Sequence, residues 1–173
     1  MIPHRAVRFT DFTIMQILTT GGTIDKIYFD ANSEFQVGEP QIIRLLQEAN
    51  VSFDYDVRSI LRKDSLEMND DDRALIRQHV EESSDERVLI THGTDTMVHT
   101  ASALGELPNK TVVLTGAMQP ARIHSSDAVF NIGCAVIAAQ MLDPGVYIAM
   151  HGQIFDPGNT RKNLSAQRFE SNP

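Results

Sequence analysis

Short apolar runs alternate along this chain with longer segments in which apolar residues return every three or four positions. The runs are FTIMQILT (12–19), FDYDVRSI (53–60), RVLITHG (87–93), KTVVLTGAM (110–118) and GVYIAMHG (145–152). Their β-branched and aromatic content predicts five strands. Between them, EPQIIRLLQEAN (39–50), MNDDDRALIRQHVEESS (68–84), DTMVHTASALGEL (95–107) and SSDAVFNIGCAVIAAQML (125–142) predict four helices. Pro40 suits a first helical turn, where no N–H is needed. The Asn-Asp cluster at 69–72 suits a helix N-terminus, where it accepts free N–H groups and complements the dipole. Strands that are apolar nearly throughout and alternate with helices predict an α/β domain with a mostly parallel sheet between two helical layers. The polar residues 156–173 are expected to form a surface loop, and residues 1–11 an N-terminal extension.

Folds of this kind bind ligands beyond the carboxyl ends of their strands. The tips there would be TTGGT (19–23), THGTD (91–95), TGAM (115–118) and HGQ (151–153). Each carries glycine, which lets backbone amides approach a ligand, and three carry threonine, whose hydroxyl can reach one. Taken singly, Thr23 reads as a turn residue, Thr94–Asp95 as a helix N-cap pair, Ser65 as a turn cap, Tyr28 as half-buried and Lys162 as a solvated lysine. Two threonine tips arriving at one sheet edge change that reading.

Composition narrows the alternatives. At 173 residues, one domain is expected, able to bury roughly 70% of its unfolded surface without a cofactor. Fifteen basic against 23 acidic residues leave a net charge of −8, which argues against a nucleic-acid or anionic-membrane surface. The single cysteine, Cys134, excludes an intrachain disulfide and a Cys-rich metal site; its apolar helical run predicts a core position. His92 and His99 lack the spacing and the Glu of a metalloprotease zinc motif, and the NDDD run lacks the glycine and terminal Glu of a calcium loop. No dinucleotide fingerprint is present, and no apolar stretch is long enough to cross a bilayer. A reducing cytoplasm is the expected setting.

TGGTID, ITHGTDTMVHTASAL and VVLTGAM occur in this order. On these motifs the chain, from about Ile14 to its end, resembles the bacterial-type L-asparaginases, threonine-nucleophile amidohydrolases. Members of that family run to about twice this length and add a smaller C-terminal domain. The resemblance therefore implies a single N-terminal-type domain, no metal or other cofactor, L-asparagine as substrate, and a homo-oligomer.

Residue by residue, the resemblance makes Thr23 the nucleophile, and Thr94 and Asp95 the family's second threonine and aspartate. Lys162, in NTRKN, lies where the family places a lysine, although its spacing to FES is two residues short. Ser65 matches the serine that binds the substrate carboxylate; Leu66 follows it where many members carry a polar residue. Ala117 matches the residue whose backbone lies beside the amide nitrogen. Gly22 and Gly93 would supply loop amides, one set to the substrate carboxylate and the other to the oxyanion. The family's loop tyrosine falls on Phe35, which has no hydroxyl, so Tyr28 is the phenol expected to replace it.

These residue types suit amide cleavage, which needs a nucleophile, a proton shuttle and oxyanion donors. A lysine takes the nucleophile's proton only when neutral, and an adjacent aspartate favours its ammonium. Thr94, Asp95 and Lys162 therefore read as a relay or electrostatic clamp. Two other readings remain: an amidase subunit that feeds ammonia to a partner, and an amino-acid-binding module without turnover.

Overall fold

The computed structural model describes residues 14–29 and 34–172; the expected extension at residues 1–11 lies outside them. In chain order the elements are β1 (Met15–Gly21), β2 (Lys26–Phe29), β3 (Glu34–Val37), α1 (Ile42–Glu48), β4 (Tyr55–Lys63), α2 (Asp70–Glu82), β5 (Arg87–Thr91), α3 (Met97–Leu104), β6 (Thr111–Thr115), α4 (Ala128–Met141), β7 (Gly145–Met150), β8 (Gln153–Phe155), β9 (Thr160–Asn163) and β10 (Arg168–Ser171). All five strands and all four helices read from periodicity form.

A six-stranded sheet runs β4-β1-β5-β6-β7-β8. Its first five strands are parallel, and β8 joins the edge antiparallel to β7. Strand alternation divides the core between the two faces. Ile17, Leu89, Val113 and Ala149 face α1 and α4, which contribute Ile42, Leu45, Leu46, Ile132 and Ala135. Leu18, Ile90, Leu114 and Ile148 face α2 and α3, which contribute Ile76, Val80, Met97 and Leu104. The fold is a three-layer α/β/α domain.

The acidic cluster does start α2. Asn69 Oδ1 accepts from Asp72 N at 3.0 Å and Asp72 Oδ2 accepts from Asn69 N at 3.0 Å, a reciprocal capping box. Pro40 lies outside the first turn where it was expected, one residue ahead of the Gln41 cap.

Two sequence expectations are corrected, and one further element emerges. Residues 156–173 are not a plain loop: β9 and β10 pair as an antiparallel hairpin, with Lys162 opposite Phe169. Phe169 is buried beside Phe155 and anchors the hairpin to the α2/α3 core, so a polar-looking segment carries an aromatic anchor. A second hairpin, β2–β3, rises directly after the first strand tip. Cys134 is only half-buried, because α4 is apolar on every side and turns part of that surface outward.

Candidate active site

The geometry begins with two glycines. Gly22, at φ 87°, lies so close to Gly93 that a Cβ on it would stand 2.4 Å from Gly93 Cα. No side chain fits there, and the positive φ is one that glycine adopts without strain. Gly22 immediately precedes Thr23 and Gly93 immediately precedes Thr94, so both threonines leave from a single backbone contact. The register explains the meeting: β1 pairs β5 in parallel with Thr19 opposite Thr91, and Thr20 Oγ1 donates to Thr91 O at 2.9 Å. The two tips therefore lie together.

The end of β4 closes the third side. Gly22 N donates to Lys63 O at 3.0 Å. Two residues on, Ser65 is buried, its Oγ has no partner among the described residues, and a Cβ on Gly93 would lie 2.6 Å from that oxygen. Thr96 Oγ1 donates to Ser65 O at 2.8 Å, fixing this turn against the β5 tip. A buried hydroxyl with no protein partner costs about 1–3 kcal/mol, a penalty that a bound polar ligand would remove. Leu66, next to it, is exposed. Ala117 is buried at the β6 tip, where a Cβ on neighbouring Gly116 would stand 2.3 Å from His92 O.

Lys162 reaches this edge from β9. Its Nζ donates to Thr94 Oγ1 at 2.7 Å and to Asp95 Oδ1 at 2.6 Å. The short spacing to FES does not prevent the approach, because β9 is set by its pairing with β10. Neither Thr94 nor Asp95 caps α3, contrary to the reading of each alone. That helix begins at Met97, after Thr96, and the pair faces the lysine instead. A donating ammonium leaves the Thr94 hydroxyl proton free to point away from Lys162.

His92 supports the tip from beneath. It is fully buried, its Nδ1 lies 2.7 Å from Gly93 O and its Nε2 2.8 Å from Thr100 Oγ1. A carbonyl can only accept, so Nδ1 carries the proton and Nε2 accepts from the threonine. Burial lowers its pKa to about 4. His92 is thus a neutral strut rather than a metal ligand or a shuttle.

Tyr28 lies on β2 and is half exposed. Its cross-strand partner in the hairpin is residue 35. The candidate phenol and the position where the resemblance places a tyrosine are therefore directly opposite one another.

Two contributors were missed in the sequence: Thr96, which reads as an ordinary helix cap, and Asp25, which looks like the end of a turn. Asp25 is 2% exposed, with a carboxylate that accepts from Gln41 N at 2.8 Å. Its one sequence signal was a charged residue directly after the buried Ile24.

Fold and site together define a parallel α/β domain whose carboxyl edge gathers hydroxyls, glycine backbone, an amine and a carboxylate. The chain belongs to the asparaginase family: the pattern "Asparaginase, N-terminal" matches residues 14–172. It is 34% identical over 146 residues to an L-asparaginase of Thermococcus kodakarensis, covering 80% of this chain and 44% of that protein. Over 83 residues it is 45% identical to a glutamyl-tRNA(Gln) amidotransferase component of Methanococcus vannielii, covering 47% of this chain and 19% of that one. The structure of the Thermococcus kodakarensis enzyme superposes with a TM-score of 0.78 at 31% identity, over 91% of this chain and 50% of that chain. L-asparaginase I of Vibrio cholerae gives 0.79 at 25% identity, over 93% and 52%. The chain spans about half the length of the asparaginases it matches.

Proposed function

We propose that this domain hydrolyses the side-chain amide of L-asparagine through an acyl-Thr23 intermediate. The observation that carries the reading is the Gly22–Gly93 contact, which sends Thr23 and the Lys162-bound Thr94–Asp95 pair from one point of the sheet edge. In this reading the Thr23 hydroxyl attacks the amide carbon, and its proton ends on the departing ammonia. Water then cleaves the ester, releasing aspartate and restoring the hydroxyl. Thr94, Asp95 and Lys162 form the proton relay, and Tyr28 is the rival acceptor for the Thr23 proton. Backbone N–H groups at Gly93 and Thr94 face the developing oxyanion.

The remaining groups suit an amino acid. Asp95 receives the α-ammonium, while the unpartnered Ser65 hydroxyl receives the α-carboxylate; the Gly22 N–H, expected to share that role, is given to Lys63 O instead. The Ala117 backbone lies beside the leaving nitrogen. Glutamine is a weaker substrate, since a pocket separates one methylene by about 1–3 kcal/mol. We further infer that the domain associates with a second copy of itself. The face of α4 exposes Val129, Phe130, Ile137 and Met141. Residues 128–142 hold no charge in a chain of net charge −8, so like-charged copies repel least there.

The similarity to the amidotransferase component supports a second reading, an amidase that supplies ammonia to a partner. One assay separates the readings. The purified chain is expected to release ammonia from asparagine unaided, and mass spectrometry is expected to find an acyl adduct on Thr23. Thr23→Ala should still bind aspartate but lose turnover. An equally active alanine variant removes the nucleophile assignment. Turnover only with a partner favours the amidotransferase reading, and aspartate binding with no turnover favours a binding module.

A further inference from the structure

The turn that carries Thr23 is also the base of the β2–β3 hairpin, and one residue joins the two. Asp25 N donates to Gly22 O at 3.2 Å, closing the short turn over Thr23. Its carbonyl accepts from Gly38 N at 2.9 Å, just after the hairpin ends at Val37. Its side-chain Oδ1 accepts from Gln41 N at 2.8 Å, at the entrance to α1. Three consecutive points of the chain, before, after and beyond the hairpin, are therefore held by one buried residue.

The tie extends into the opposite wall of the site. Ala121 N donates to Ile24 O at 3.0 Å, linking the turn to the loop that follows the β6 tip and Ala117. Arg122 Nε donates to Gln41 Oε1 at 3.3 Å, and Gln41 Nε2 donates to Glu39 O at 2.7 Å. Glu39 in turn holds Arg62 of β4 through two contacts of 2.6 and 2.8 Å. Asp25 sits at the centre of this web. An alanine would retain the backbone bonds and delete only the carboxylate that holds Gln41.

We propose that Asp25 is a positioning residue: its backbone closes the base of the β2–β3 hairpin, its carboxylate locks that base to Gln41 at the entrance to α1, and together they fix where Tyr28 stands relative to the nucleophile. It touches no reacting atom; it acts through the hairpin. Tyr28 lies three residues beyond Asp25 in the first strand of that hairpin, so its placement follows the angle at which the hairpin leaves the turn. The catalytic part of this inference rests on the acyl-threonine reading, while the mechanical part does not.

Hydrogen exchange read by mass spectrometry on the full chain, without substrate, tests the mechanical part. In Asp25→Ala, amides of 26–29 and 34–38 should exchange at least about tenfold faster than in wild type, with β5 and β6 amides unchanged as the fold control. Asp25→Asn keeps an oxygen in place of Oδ1 and should restore protection to within about threefold of wild type. With asparagine, Asp25→Ala should lose most of its kcat and little of its KM, with rescue by Asn. Unchanged hairpin exchange in Asp25→Ala overturns the proposal, as does loss of protection throughout β5 and β6 in both variants, which would make Asp25 a general fold residue. Faster hairpin exchange in a protein whose wild type turns over no asparagine leaves the tie standing and sinks the hydrolase reading instead.

Discussion

Lys162 shows how one side chain changes meaning with its neighbours. In NTRKN it reads as a solvated lysine, yet its side chain is 11% exposed and held between Thr94 Oγ1 and Asp95 Oδ1. Enclosing an ion pair costs desolvation that offsets much of its attraction, so stability alone is a poor reason for this contact. The proposed proton relay supplies a further reason. Lys162→Met keeps much of the stem's packing and removes the amine. It is expected to lower kcat for asparagine by about 100-fold or more with little change in KM, measured by steady-state ammonia release. A pure KM effect would demote Lys162 to holding substrate. Ser65 makes a different case at the same scale: the resemblance gives it a ligand, and its buried Oγ has no partner among the described residues.

Elements hold these residues through buried polar anchors, and two of the anchors titrate in opposite senses. Burial lowers the His92 pKa from 6.5 to about 4, against the Gly93 hydrogen bond and with help from Arg73. Burial raises that of Asp25 from 3.8 to about 7, against the Gln41 N–H and the Arg62 charge. Between pH 6.5 and 4 the unfolded chain takes up a proton at His92 that the native chain refuses. Stability therefore falls as pH drops through that window, by on the order of 3 kcal/mol. Asp25 does the reverse: the native chain binds its proton first, so stability rises as pH falls from about 7 towards 3.8. The two effects offset each other between pH 6.5 and 4. Asp25→Asn removes one of them. Its urea-unfolding free energy should therefore fall with acidification more steeply than that of wild type, by about one proton's worth of slope. Parallel pH profiles for the two proteins would show that this opposed pair does not operate.

Among the described residues, the outer side of α4 presents a contiguous group of exposed apolar side chains. Val129, Phe130, Ile137 and Met141 are each more than half exposed, and Ile154 of β8 continues the patch. With Gly133 and Cys134 they line an open groove of about 670 Å³. A Cβ on Gly133 would meet nothing within 4 Å, which leaves a notch one turn from the Phe130 ring. Knob and notch on one helix suit an antiparallel crossing of two copies about a two-fold axis. Sedimentation velocity should show concentration-dependent dimers, and Ile137→Glu should return the chain to monomer while its thermal unfolding is nearly unchanged. A wild-type chain that remains monomeric at about 100 μM, tenfold above typical weak-dimer constants of about 10 μM, would refute the pairing.

Periodicity and turn chemistry belong to neighbouring residues, so the chain alone determined the five parallel strands, the four helices, the capped start of α2 and the glycine-threonine tips. Strand order, and with it the meeting of Gly22 with Gly93, depends on which apolar faces pack together, a choice made over separations of tens of residues. The two added hairpins are short, and one of them is held by distant contacts through Phe169 and Lys162. The outward turn of Cys134 was equally hidden, because a helix apolar all round does not announce which side the sheet will cover. Asp25 gains its role only when Gln41 and Gly38 fold back onto it. Local chemistry wrote the parts list; long-range packing decided which parts touch.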